Sequence, residues 1–138
     1  MTNRKFILAC ILLTCTVATI FPACSVQEEQ TVSYDPAKKY AAFAVINIPA
    51  SESVLATAKQ QSTADGFEIG PIEYYSTQTT NFDSVVKKLT VSQQITLIWI
   101  IGGVMDVPAV RKSTAKFGYA GGYRFMPVQG QTVPSQLN

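Results

Sequence analysis

One short stretch, residues 95–101, most constrains what this chain can fold into. It reads ITLIWII and contains four isoleucines, one leucine and the only tryptophan of the chain. A run this apolar must be buried, and its β-branched residues favour a strand that is enclosed on both faces. Gly102 and Gly103 end it. A buried helix over residues 90–105 is the alternative, because a short apolar run does not determine the period. We predict a central strand here.

Two strand–helix pairs are predicted before this strand. Residues 40–48 (YAAFAVINI) indicate a strand buried on both faces, and Ser51 is positioned to cap a helix that runs to residue 62. Residues 67–77 alternate, but Gly70-Pro71 interrupts them, which is typical of an edge or bulged strand because proline cannot donate to a sheet ladder. Residues 80–83 (TNFD) match a capping box, and apolar residues recur behind them with the helical period at positions 82, 85, 86 and 89.

One helix–strand pair is predicted after the central strand. Asp106-Val107-Pro108 opens a helix that continues to Phe117, and Gly118 ends it. Its apolar side consists of Val107, Val110, Thr114 and Phe117, and residues 119–128 form a last strand. The order β-α-β-α-β-α-β predicts a small single α/β domain with helices covering a mainly parallel sheet. A ferredoxin-like α+β sandwich is the alternative, if one connecting helix is absent.

The first 24 residues have the plan of a secretory leader. Arg4 and Lys5 precede an apolar run over residues 6–21, which ends at Pro22-Ala23-Cys24. All three cysteines, at positions 10, 15 and 24, fall in this stretch. The end of the leader, Phe21-Pro22-Ala23-Cys24, resembles the lipobox of bacterial lipoproteins, whose first mature cysteine carries the lipid. Cleavage by an ordinary signal peptidase and retention of the leader as a membrane anchor are the alternatives.

The resemblance implies a division of the chain and a location. Residues 1–23 would be the signal peptide and residues 24–39 a flexible polar tether. Residues 40–128 would be the domain and residues 129–138 a disordered polar tail. The membrane would be reached through the lipid on Cys24. Ser25 is not the aspartate that retains enterobacterial lipoproteins at the inner membrane, so the resemblance implies the outer membrane, facing the periplasm. A soluble periplasmic protein and an uncleaved inner-membrane anchor correspond to the two alternative leaders.

Missing residue types exclude several kinds of chemistry. The chain has no histidine, and its only cysteine beyond the leader is Cys24. Histidine-based acid–base catalysis, Ser-His-Asp and Cys-His arrangements and ordinary zinc ligand sets are therefore excluded. No phosphate-binding glycine motif is present. Glu68 and Glu73 would pair only across a bulge at Gly70-Pro71. We predict no catalytic residue, no metal site and no cofactor, and therefore a protein that is not an enzyme.

The charges are unevenly distributed along the chain. Residues 24–86 carry eight acids and three lysines, whereas residues 87–138 carry six bases and one acid. Within the basic half, cations alternate with aromatic residues, a composition that can bind an acidic partner. The predicted helix turns its bases outward, and Arg124 on the last strand is expected to extend the same surface. A solvated helix face beside core aromatics is the alternative. The candidate partner-binding residues are Arg111, Lys112, Lys116, Tyr119, Tyr123 and Arg124.

Three classes of function fit these features. The first is an exported, membrane-anchored lipoprotein that acts by protein–protein contact, as an accessory subunit of a cell-envelope assembly such as a secretion or conjugation system. The second is a binder of an anionic envelope glycan or lipid through the basic-aromatic residues. The third is a hydrolase that uses two carboxylates, which would have to converge in a cleft. Nucleic acid is not an expected ligand of an exported protein whose chain beyond the leader has balanced charge. The sequence does not indicate an oligomeric state.

Overall fold

A computed structural model describes residues 33–129, which form a parallel sheet covered by helices. Its four strands lie in the order β2-β1-β3-β4, and every neighbouring pair is parallel. This confirms the small α/β domain and rules out the ferredoxin-like alternative, which needs antiparallel pairs. The elements in chain order are β1 (Tyr40–Ile46), α1 (Ser51–Ala64), β2 (Glu68–Tyr75), α2 (Asp83–Leu89), β3 (Ile95–Gly102), α3 (Asp106–Lys116) and β4 (Gly122–Pro127).

The two central strands are the most apolar ones. Every residue of β3 except Thr96 is buried, so the stretch 95–101 is a strand and not a helix. In β1, all residues from Ala41 to Ile46 are buried. Strands enclosed on both faces lack a polar side, which explains why these two sequences show no alternation.

Helices lie on both faces of the sheet, as shown by residues that are paired across neighbouring strands. Phe43 of β1 pairs with Trp99 of β3, and the Trp99 Nε1 donates a hydrogen bond of 2.7 Å to Ser62 Oγ of α1. This face therefore packs against α1. On the other face Ile98 pairs with Tyr123, whose hydroxyl lies 2.6 Å from Thr114 Oγ1 of α3. α2 contacts α3 and therefore lies on the α3 side.

The strand β2 forms one edge and carries the predicted bulge. Ala41 pairs with Ile69, but Phe43 pairs with Ile72, so β2 has one residue more than β1 at Gly70-Pro71. A Cβ at Gly70 would lie 2.9 Å from the carbonyl oxygen of Ala41, which is closer than side chains allow. The bulge thus places the proline at an edge, where a missing donor costs little.

Helix starts differ from the sequence predictions. Ser51 does not cap α1: it lies inside the first turn, is buried, and donates to the carbonyls of Ile46 and Ile48 at 2.7 and 2.5 Å. The capping box before α2 is also wrong, because the N-cap Phe82 makes no side-chain cap. Instead, Asn81 Oδ1 accepts a hydrogen bond of 2.9 Å from the amide of Asp83. Both predictions placed the cap on a residue with a capping side chain, whereas the actual N-caps, Ala50 and Phe82, have none.

Two details of the structure lie at the ends of predicted segments. Residues 33–39, the end of the predicted tether, include a turn next to β1, where the Tyr34 ring packs edge-on against Tyr40 at 5.0 Å. Phe117, predicted on the inner side of α3, is instead its C-cap and is 43% exposed. The leader, Cys24, the first part of the tether and residues 130–138 of the tail lie outside the described residues.

Candidate functional site

The outer side of α3 presents the basic residues of the candidate surface. Val110 and Thr114 are fully buried against the sheet, so the helical period turns Arg111, Lys112 and Lys116 into solvent. All three are exposed. The helix itself therefore positions three of the six candidate residues on one continuous face.

Two tyrosines adjoin this face. The Arg111 guanidinium carbon lies 5.3 Å from the centre of the Tyr123 ring, within the range of a cation–π contact. The Tyr119 and Tyr123 rings meet edge to face at 5.5 Å. Burial, with a smaller effect from Tyr123, raises the pKa of Tyr119 well above its usual range, so its hydroxyl is neutral at physiological pH. Arg111, Tyr123 and Tyr119 thus form a continuous row.

The two lysines line a depression of about 350 Å³ between α2 and α3. Lys116 Nζ lies 2.8 Å from Asp83 Oδ2, and Ser113 Oγ donates to Asp83 Oδ1 at 2.7 Å. These bonds, Lys116 first, lower the pKa of Asp83 below its ordinary value, and the charge of Lys112 adds to the effect. The charge of Lys116 is therefore compensated. Arg111 and Lys112 form no ion pair within residues 33–129.

Arg124 does not extend this surface. It pairs laterally with Trp99, which faces α1, and its guanidinium carbon lies 5.3 Å from the Trp99 ring. It also forms an ion pair with Asp65 at the end of α1. Neighbouring residues of a strand point to opposite faces, so Tyr123 on the α3 side fixes Arg124 on the other. We define the basic surface by the remaining residues, which are Arg111, Lys112, Lys116, Tyr119 and Tyr123.

The carboxylates predicted as a possible pair do not converge. Glu68 forms an ion pair of 2.9 Å with Lys38, and Glu73 forms one of 3.2 Å with Lys88. Each is engaged by a different lysine. Among the described residues, no three acidic, cysteine or histidine side chains are grouped in a way that could hold a metal ion.

One polar cluster was not found from the sequence. Open α/β sheets commonly bind ligands at the carboxyl ends of the strands, at the point where the strand order reverses. In the order β2-β1-β3-β4 this point lies between β1 and β3. Tyr75 Oη donates to Asp106 Oδ2 at 2.8 Å, and the amide of Gly103 donates to the same oxygen at 2.7 Å. Burial, and then the bond to Asp106, raises the pKa of Tyr75 far above its usual range. A Cβ at Gly102 would lie 1.9 Å from Tyr75 Oη, so this hydroxyl fills the space beside the strand end.

Comparison with known proteins gives a fold and no family. No protein-family model and no curated protein matches the chain. It is similar to the crystal structure of a branched chain amino acid ABC transporter periplasmic ligand-binding protein from Burkholderia xenovorans LB400. The TM-score is 0.56 at 18% identity, covering 65% of this chain and 25% of that one. The chain thus spans a quarter of that protein, and the likeness shows the shared α/β fold. No helix between residues 33 and 129 is long and apolar enough to cross a membrane.

Proposed function

We propose that the protein is an exported lipoprotein, anchored through Cys24, that binds an acidic surface of another envelope protein without catalysing a reaction. The leader supports export, and its lipobox-like end supports the lipid anchor and an outer-membrane location facing the periplasm. The likeness to a periplasmic ligand-binding protein supports an exported location in a general sense. A role as an accessory subunit of an envelope assembly follows from an anchor combined with a small binding domain.

The observation that carries the proposal is the uncompensated charge at Arg111 and Lys112. Within the described residues, four other cations are held in ion pairs: Lys38, Lys88, Lys116 and Arg124. Arg111 and Lys112 are exposed and without such a pair, and they are neighbours on α3. Among the described residues Lys39, Lys59 and Lys87 also lack an ion pair, but no two of them are neighbours in the chain. An arginine placed beside an aromatic ring is typical of the residues that contribute most to protein interfaces. An acidic partner would gain two charge contacts there without breaking an existing pair.

An anionic glycan or lipid fits the basic surface less well. The depression beside Lys112 and Lys116 contains the Asp83 carboxylate, which repels an anion. A partner protein can contact Arg111 and Lys112 on the outer face without entering this depression. A carboxylate-based hydrolase has the least support, since Glu68 and Glu73 are bound to separate lysines.

The test is recovery of partners from detergent-solubilised membranes, with the full chain as bait. Reversing Arg111→Glu with Lys112→Glu should abolish recovery of one defined partner protein, identified by mass spectrometry. The matched control is Lys39→Glu with Lys87→Glu, which changes the charge equally at two exposed lysines and should recover that partner. Recovery by the wild type should fall as salt rises, because exposed charges are screened over about 10 Å at 0.1 M. Equal recovery by the Arg111/Lys112 variant at low salt would contradict the proposed surface.

The anchor is tested in the same cells. Cys24→Ser should release the protein from the membrane fraction, because the acyl chains supply the membrane affinity at about 0.8 kcal/mol per buried CH₂. The Arg111/Lys112 reversal should remain in the outer-membrane fraction. An unmodified Cys24 in the mass spectrum of the purified protein would refute lipidation. Recovery of glycan or lipid, with no protein that depends on Arg111 and Lys112, would favour the anionic-polymer function instead.

A further inference from the structure

A groove of about 440 Å³ lies at the opposite end of the sheet from the Tyr75–Asp106 cluster. The loop after α2, the loop after α3 and the beginning of β3 form its walls. Its volume is in the range of small-ligand sites. None of its lining residues carries a charge, and its polar side chains are hydroxyls and one amide: Thr90, Ser92, Gln93, Thr96 and Tyr119.

The Tyr119 ring is held rigidly in the wall of this groove. α3 ends in a Schellman arrangement, in which Gly118 has φ of 71° and the amide of Tyr119 donates to Thr114 O at 3.2 Å. The Tyr119 hydroxyl donates to Gly122 O at 3.0 Å. A Cβ at Gly121 would lie 2.2 Å from that hydroxyl, so the ring can occupy its position only beside glycine. A fixed aromatic wall lowers the entropy that a ligand must overcome.

A second aromatic side chain and an exposed amide complete the groove. Phe117 lines it and is 43% exposed, although most large apolar side chains of the domain are buried. Gln93 also lines it and is exposed, so its amide can donate a hydrogen bond to a ligand hydroxyl and accept one from it.

The electrostatics of the groove indicate the charge of its ligand. Lys87, Lys88 and Lys116 in the last turns of α2 and α3 offset the negative ends of the helix dipoles beside it. Among the described residues no basic side chain lines the groove, so an anion has no counter-charge there, and no carboxylate lines it, so a cation has none either. A neutral ligand with an apolar face and several hydroxyls satisfies all of these features, because C–H groups pack on aromatic rings and hydroxyls bond to amides and hydroxyls.

We propose that this groove binds a neutral sugar residue of a carbohydrate. The C–H face of the ring packs against Phe117 beside the fixed Tyr119 wall. Its hydroxyls bond to the Gln93 amide and the Ser92 hydroxyl, both of which line the groove. Tyr119 belongs to both the groove and the basic surface, but Arg111 and Lys112, which carry the proposed protein contact, do not line the groove. The binding of a sugar therefore does not depend on the charges of Arg111 and Lys112.

Saturation-transfer NMR on the full chain in a detergent without a sugar head group tests the proposal. The neutral probes are maltotriose, cellotriose and chitotriose, and the charged probes are trigalacturonate and choline. We expect at least one neutral trisaccharide to bind with a millimolar or lower Kd, and neither charged probe to bind. Binding of a charged probe as tightly as the best sugar, or no transfer to any trisaccharide at millimolar concentration, would overturn the proposal.

Matched variants locate the binding. Phe117→Ala removes the exposed ring and should weaken the best sugar about tenfold or more, equivalent to about 1.4 kcal/mol. Gln93→Ala removes the amide from an exposed position of the lining, so it should weaken the binding of the sugar without unfolding the protein. The control is Val91→Ala, an apolar residue that is 61% exposed in the same loop but outside the lining, and it should bind as the wild type does. Unchanged affinity in both Phe117→Ala and Gln93→Ala would place the sugar elsewhere and refute this site. The Arg111/Lys112 reversal should bind the sugar normally, which separates this result from a failure of the proposed protein contact.

Discussion

Replacement of Trp99 by alanine is the most direct test of how this fold is held together. The side chain is 2% exposed at the centre of the sheet, between the α1 helix and the Arg124 side chain. The substitution removes the largest buried aromatic group of β3 and its hydrogen bond to Ser62. It also removes the ring that the Arg124 guanidinium contacts. These contacts are lost together, so the effect on stability should be large.

The expected size follows from burial. Truncation of a core tryptophan to alanine costs about 3–5 kcal/mol, because it removes apolar contacts and leaves a cavity. A domain of about 100 residues is stabilised by roughly 5–15 kcal/mol, so the loss is about a fifth of the total or more. Trp99→Phe retains most of the ring and loses the bond from Nε1, while the Ser62 hydroxyl keeps its bond to Ala58 O at 2.9 Å. It should cost about 1–2 kcal/mol.

Urea unfolding followed by far-UV circular dichroism measures the effect in every variant, including those without tryptophan. With a slope of about 2 kcal/mol per molar, a loss of about 4 kcal/mol lowers the midpoint by roughly 2 M. Phe117→Ala is the matched control, because it truncates an aromatic residue that is 43% exposed and should cost about 1 kcal/mol or less. If Trp99→Ala cost no more than Phe117→Ala, Trp99 would not be a core residue and the strand order would be wrong.

Two further substitutions test local features of the domain. Gly102→Ala places a Cβ 1.9 Å from Tyr75 Oη and 2.6 Å from Asp106 Oδ2. It should therefore lower the free energy of unfolding by about 1–3 kcal/mol in urea, and by less in a Tyr75→Phe background. Since its pKa is lowered in the folded protein, Asp83 contributes stability above its unfolded pKa of about 3.9, and this is lost as pH falls through the folded value. Asp83→Asn should flatten the decline in stability between about pH 5 and pH 2, and an unchanged decline would show that the bond to Lys116 contributes nothing.

The order and type of the elements could be predicted because each had a strong local signal. Branched apolar runs marked β1 and β3, and a helical period with a glycine stop marked α3. The bulge in β2 followed from Gly70-Pro71 alone. Parallel pairing then followed from the alternation of strands and helices, because parallel strands need crossover connections.

Contacts between distant residues could not be predicted in this way. The pairs Tyr75–Asp106 and Ser113–Asp83 join residues that are 31 and 30 positions apart. Nothing local to either residue indicates its partner. The groove beside Phe117 could not be predicted for the same reason. The loops after α2 and α3 that form it are far apart in the sequence, and the packing of the two helices brings them together. Phe117 itself was assigned to the inner side because the helical period was continued one residue beyond the end of the helix.

The position of Arg124 shows how topology decides which cations are available to a partner. Of the three described helices, α2 and α3 cover one face of the sheet, and α1 alone covers the other. α1 connects β1 to β2, so the β4 end of its face has no helix of its own among the described residues. There the Arg124 side chain covers part of the Trp99 ring, and Asp65 at the end of α1 balances its charge. Long cationic side chains can bury their stems over apolar surface in this way. Arg124 therefore serves the fold, and on the opposite face Arg111 and Lys112 of α3 are the adjacent exposed cations that remain for a partner.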